Sequence, residues 1–215
     1  MMINFSDNKS LTLASQILSV IFFPGFLPIY GLLIIFNAPT LYSYELAARY
    51  GSLKGVILLL AFVNMTLVPV AFMPLLKYRN IISSYSMNTR TDRIIPMAIG
   101  SLMYIVTTVI FYSFRIPVII KSFILATTIL AILILLITLR WKISIHSAGL
   151  GSLLAAVMAL SVRMYANLTA LWLVLILCSG LVMAARLYLN SHRPAQVYAG
   201  FALGFIVMWL FMAVF

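Results

Sequence analysis

Acid is nearly missing from this sequence: Asp7, Glu45 and Asp92 are the only carboxylates in 215 residues. Magnesium and calcium need clustered oxygen ligands, so neither ion has a site here, and the aspartate-rich chemistry of the CDP-alcohol and prenyl transferases of membranes is excluded with them. Cysteine is scarcer still. Cys178 stands alone inside an apolar run, which leaves no disulfide framework and no thiolate metal site; it is expected to pack or to face lipid. No lysine follows Lys142, so the last apolar run lacks the Schiff-base amine of a retinal protein. His146 and His192 are the only imidazoles, and with no carboxylate but Asp92 on their side of the charge map they fall short of a usual zinc set. No metal and no cofactor is expected.

What is present in excess is apolar surface. The sequence is 65% hydrophobic and 8% charged, a ratio that no soluble domain can bury within itself. Charge-free windows fall at 10–44, 55–76, 94–114, 122–139, 143–162, 164–185 and 194–215. Each is near or above the roughly 20 residues that cross a hydrocarbon core as a helix. They are apolar all round, whereas barrel strands alternate over about ten residues. The expectation is an all-α polytopic transmembrane bundle of about seven spans, a single domain over 1–215, with a six-helix core as the variant if the first window does not count. That window contains Pro24, Gly25, Pro28 and Gly31, which would kink it or divide it into a span and a re-entrant piece. Asp7 ahead of Lys9, and an apolar stretch running past any short cleavage site, give no sign of a cleavable leader.

The net charge of +11 is scattered among short connections, with no soluble domain to present it, so nucleic acid is not an expected partner. Connections at 77–93, 140–142 and 186–193 share one face; those at 45–54, near 115–121 and near 163 share the other. The first face carries Lys9, Lys77, Arg79, Arg90, Arg93, Arg140, Lys142, Arg186 and Arg193, and the second Arg49, Lys54, Arg115, Lys121 and Arg163. The positive-inside rule would put the first face in the cytoplasm, but six of its cations are candidate ligands, so charge leaves the orientation open. The longest polar stretch, 77–93, includes Ser83, Ser84, Ser86, Asn88 and Thr89. Gly200 with Gly204, and Gly149 with Gly151 and Ser152, predict close helix packing; Asn64 and Thr66 predict hydrogen bonds between helices.

Both histidines lie at the amino-terminal ends of charge-free runs on the first face. Lys142 and His146 are four apart and share a helix face if the helix begins by Lys142. Arg186 closes the sixth run and His192 precedes the seventh, so a short reversal at Asn190, Ser191 and Pro194 can bring them together. Helix amino termini add partial positive charge and unpaired N–H groups. The sum is an anion site at a membrane face, and phosphate is the anion that best suits several converging cations. Each cation taken alone is equally well read as an interfacial anchor snorkelling to headgroups.

These residues resemble the type 2 phosphatidic acid phosphatases, the PAP2 superfamily. The third signature of that family is Ser-Arg, five residues, His, three residues, Asp, then a small-residue helix. Here Ala185-Arg186, five residues, His192, three residues and Gln196 are followed by Gly200 and Gly204. The second signature, Pro-Ser-Gly-His, keeps Ser144 and His146, and Arg90-Thr91-Asp92-Arg93 ahead of Pro96 looks like a divergent counterpart of the first. The resemblance covers roughly 90 to 196, defines a phosphatase-like core over about 90–215, and is similar to divergent bacterial members, which implies a bacterial cytoplasmic membrane.

The resemblance implies a metal-independent lipid phosphatase working by two displacements. His192 would attack phosphorus and form a phosphohistidine, and His146 would protonate the leaving alkoxide. Arg186, Lys142, Arg90 and Arg93 would hold the phosphoryl oxygens. The implied substrate is a phosphorylated lipid or an isoprenyl phosphate or pyrophosphate, met among membrane lipids. Where the family has the Asp that orients the nucleophile this sequence has Gln196, and Ala185 replaces the Ser before the arginine. A neutral amide can hold a tautomer but lends no charge, so Gln196 and Asp92 are the candidates for the relay. The competing reading is a non-catalytic lipid-phosphate binder or carrier with a degenerate site.

Overall fold

The computed structural model describes residues 9–85, 87 and 89–214. Asp7, Ser86 and Asn88, named above, lie outside the described residues. Two short helices, α1 (Lys9–Ile21) and α2 (Leu27–Asn37), come first. Then α3 (Leu41–Phe62), a π-helical turn (Val63–Leu67) and α4 (Val68–Tyr78) run on as one rod. They are followed by α5 (Thr91–Ser113), α6 (Val118–Thr138), α7 (Ile145–Arg163), α8 (Thr169–Tyr188) and α9 (Pro194–Val214). The described residues contain no strand.

Six helices are long and apolar enough to cross a membrane: Leu41–Tyr78, Thr91–Ser113, Val118–Thr138, Ile145–Arg163, Thr169–Tyr188 and Pro194–Val214. The protein is an integral membrane helical bundle. The first window, 10–44, decides between about seven spans and the six-helix variant. It is broken at Phe22–Phe26, where Pro24 offers no N–H to continue the ladder, and its two pieces have 13 and 11 residues. At about 1.5 Å per residue neither crosses a core of about 30 Å.

The stretch 45–54, expected as a connection, is helical instead. Thr40 caps α3 by accepting from the Ser43 N–H at 3.0 Å while Ser43 Oγ answers the Thr40 N–H, and Glu45, Leu46, Ala47 and Ala48 are good helix formers. The rod bends at Tyr50, whose φ is −127°. The π turn has its own cause: Pro69 cannot donate, and the Val68 N–H reaches back five residues to the Val63 carbonyl. This turn aims Thr66 Oγ1 at the Gly25 carbonyl, 2.6 Å away, so the hydrogen bond expected of Thr66 runs not to a helix but to the break between α1 and α2. Asn64 makes none among the described residues.

Helix α7 is the most buried span, wrapped by α2, α8 and above all α9. The predicted close packing is where glycine is indispensable. A Cβ at Gly204 would lie 1.8 Å from the Ala148 carbonyl oxygen, one at Gly200 2.5 Å from that of Ser144, and one at Gly151 2.2 Å from that of Phe201. The backbones of α7 and α9 therefore touch, as small residues permit in lipid. Cys178 is a free, half-buried thiol in α8.

Candidate functional site

The helix ends at 78, 91, 138, 145, 188 and 194 alternate onto one face, and the candidate residues collect there. Ser144 caps α7, its Oγ accepting from the Ser147 N–H at 3.4 Å and from Ser147 Oγ at 2.9 Å. The Ser144 N–H in turn donates to the Gln196 carbonyl at 3.1 Å. One turn of α7 and one turn of α9 are thus locked side by side, and His146 and His192 ride on them. Pro194 starts α9, where its missing N–H costs nothing. The left-handed Asn190, φ 50°, makes the reversal that returns the chain from Arg186 to His192.

His192 is buried, and its Nε2 lies 3.5 Å from Nη1 of Arg93, also buried. A guanidinium only donates, so this contact leaves the Nε2 lone pair pointing at Arg93 and puts the proton of the neutral ring on Nδ1. Arg93 is braced by its Nε, which donates to the Met87 carbonyl at 2.9 Å. Burial, and then the positive charges of Arg93, Arg186 and Lys142, push the His192 pKa from 6.5 down to about 3, with Gln196 working the other way. The same combination of burial and the charges of Arg93 and Arg186 lowers the Lys142 ammonium. Arg93, Lys142 and Arg186 are therefore near enough for their charges to act on His192, and Arg93 is in contact with it.

His146 opens α7, and its Nε2 lies 3.2 Å from the Ser19 carbonyl oxygen in α1. Arg186 Nη1 donates to Ser19 Oγ at 3.3 Å. Ser19 thus touches two of the predicted residues, and the sequence reading missed it. A signal was there: Ser15 and Ser19 are four apart, opposite Leu13, Ile17 and Val20, just before the Pro24-Gly25 break. In the structure Ser15 is buried and that apolar stripe is exposed.

Other residues sit elsewhere than expected. Lys142 lies ahead of α7, which begins at Ile145, so it does not share a helix face with His146. Arg90 is exposed and donates to the Leu139 carbonyl at 2.7 Å, fastening the 79–90 loop to the end of α6. Asp92 accepts from the Ser83 N–H at 3.0 Å and from Ser83 Oγ, and so anchors that same loop. Gln196 turns its Oε1 to the Arg193 N–H, 3.0 Å away, as a cap for α9. Nδ1 of His192 is left buried with no hydrogen-bond partner among the described residues, as is Nε of Arg186. Gln196 thus shares itself between His192, whose pKa it raises, and the Arg193 N–H, while Asp92 stays with Ser83.

Next to the first turn of α7 an apolar cavity of about 70 Å³ lies between α2, α5, α6 and α7, with Leu27, Phe123, Ile145 and Gly149 in its wall. Ile145, which neighbours His146 in sequence, lines this cavity. The arrangement offers a neutral nitrogen lone pair, a second imidazole and several cations at one end of the bundle, which suits a phosphate ester with an apolar tail.

Comparison with curated proteins and with solved structures returned no match. The stretch that carries both histidines, Lys142, Arg186 and all of α7, α8 and α9, residues 139–215, matches the family model described as the PAP2 superfamily, the family that the motif run resembles.

Proposed function

We propose that this protein is a metal-independent lipid phosphate phosphatase acting through a phosphohistidine at the membrane face, in a bacterial cytoplasmic membrane. The observation that carries the reading is the neutral His192, its Nε2 3.5 Å from Arg93, with the charges of Arg186 and Lys142 turned on it. In the first step Nε2 attacks phosphorus, and the bond from phosphorus to the lipid oxygen breaks with its electron pair going to that oxygen. His146, entering the step as imidazolium, supplies the proton that turns the alkoxide into an alcohol and is left neutral. In the second step water attacks the phosphohistidine with His146 taking its proton, which returns His192 and releases inorganic phosphate. Arg93, Arg186 and Lys142 balance the charge on the equatorial oxygens, usually the largest contribution to such a reaction.

The substrate belongs to the class of phosphorylated lipids, including isoprenyl phosphates, whose tail would leave the site toward the apolar cavity beside α7. A second reading, a lipid-phosphate binder or carrier, is favoured by one observation: Nδ1 of His192 is buried with no hydrogen-bond partner among the described residues. Incubating the full chain in detergent with a panel of lipid phosphates, with and without a chelator, separates the two. The phosphatase reading expects chelator-resistant phosphate release and an acid-labile phosphoryl group on the protein that disappears in His192→Ala. Saturable lipid binding with no release from any lipid would leave the binder.

A further inference from the structure

Ser19 stands in the candidate site although it belongs to α1, far outside the stretch that matches the family model. Its position follows from how α1 ends. In a continuing helix the Ser19 carbonyl would accept from the Phe23 N–H, but Phe23 turns to the Val20 carbonyl instead, at 3.1 Å, as the chain breaks toward Pro24. The Ser19 carbonyl is therefore one of the orphan acceptors of a helix carboxyl end, and it is offered to His146 Nε2 at 3.2 Å. Ser19 Oγ donates to the Ser15 carbonyl at 2.9 Å and accepts from Arg186 at 3.3 Å.

A helix carboxyl end carries roughly half a negative charge. Here that end is pressed against Arg186 and His146, beside Arg93 and Lys142. We propose that the last turn of α1 is a built-in stand-in for the anion, seated against His146 and Arg186 and displaced when a phosphate group enters, so that α1 gates the site; this rests on the phosphate reading of the site.

Two features suit α1 to such movement. Its outer face, Leu13, Ile17 and Val20, is exposed. Its connection to the bundle is a hinge at Phe22–Phe26, held from outside by Thr66 Oγ1 on the Gly25 carbonyl and by the Tyr30 hydroxyl on the Ile21 carbonyl at 3.0 Å. On the inner face, which packs against α8, Ser19 makes the contacts that an entering phosphate would replace: an oxygen for His146 and an oxygen for Arg186. The buried Arg186 Nε, which has no hydrogen-bond partner among the described residues, supplies a further donor that the phosphate can take and Ser19 does not.

The test uses the full chain in detergent, carrying Ser19→Cys and Cys178→Ala, and follows alkylation of the new thiol by N-ethylmaleimide. The probes are inorganic phosphate and, separately, a short-chain phosphatidic acid. Binding of each is measured by calorimetry on the same preparation. Displacement predicts that a saturating probe speeds alkylation severalfold. Ser19→Ala, which deletes a contact to a charged partner and so raises the open fraction, should bind inorganic phosphate about tenfold more tightly than the unaltered chain. If a probe binds and alkylation is slowed or unchanged, or if Ser19→Ala binds phosphate more weakly, the gate is wrong while the phosphate site stands. If neither probe binds the unaltered chain, gate and phosphate site fall together.

Discussion

Ser144 and Gln196, fifty-two positions apart in sequence, are joined by one backbone hydrogen bond of 3.1 Å, from the Ser144 N–H to the Gln196 carbonyl. That bond is the ruler for the site, because His146 is two residues beyond one partner and His192 four residues before the other. Gly200 makes it possible by letting α9 approach the Ser144 carbonyl.

Gly200→Ala should therefore separate the two histidines. Its Cβ would lie 2.5 Å from the Ser144 oxygen, so α9 must retreat. Phosphate release is expected to fall by at least tenfold with a loss of about 1–3 kcal/mol in stability, the usual cost of overpacking. Thermal unfolding in detergent alongside the release assay checks both; full activity in Gly200→Ala would show that the helix contact does not set the site.

Gln196→Asp places a carboxylate three residues into α9, where the helix amino end favours it. If the shorter side chain turns to His192 Nδ1, the imidazolium formed on attack gains a charged partner, and by analogy with a serine-protease triad the gain could approach ~10⁴ in rate. The expected outcome is higher turnover and a raised His192 pKa. Lower turnover would mean that the cap on Arg193 matters more than the relay.

Arg93→Lys should cost turnover roughly 10²-fold, the scale for losing one donor to a developing oxyanion. The guanidinium braces itself on Met87 through Nε while Nη1 faces His192; an ammonium cannot do both. A burst assay separating the phosphoryl transfer from lipid binding would locate the loss, which is expected in kcat.

The His192 titration has a definite sign. Its folded pKa of about 3 lies below the ordinary 6.5, so between those values the unfolded chain binds a proton that the folded chain refuses. Stability from the neutral ring is whole above about pH 6.5 and is lost as pH falls toward 3. The thermal midpoint should drop between pH 7 and pH 4.5, and drop less in His192→Asn. Proton or nitrogen resonances of the ring should stay in the neutral form through that range; a midpoint near 6.5 would contradict the burial of His192 among cations.

The six long spans were legible because lipid demands charge-free helices, and a single charge at each helix end marks the limit. The ends themselves were less so: Arg93, Lys121 and Arg186 lie inside helices, since a long side chain near an end can reach polar surroundings. The 10–44 window misled because hydropathy records composition and not continuity, and Pro24 cuts it. At the site, spacing alone brought Arg186 toward His192. It could not show that Gln196 spends its oxygen on Arg193, or that Asp92 holds Ser83, because both are choices among competing local donors. For Ser19 the spacing to Ser15 marked a polar helix face, but not the partners, because its contact to His146 is made by a carbonyl, which every residue possesses.

Arg93 reaches His192 from α5, whereas the histidine stands between α8 and α9, and α5 lies wholly outside residues 139–215. The candidate site is thus split between the stretch that matches the family model and a helix outside it. A graft of α7–α9 onto the amino-terminal half of another such protein would transplant both imidazoles and leave the guanidinium behind. Its fate would hang on whether the new host offers a cation at the same height on its own fifth helix.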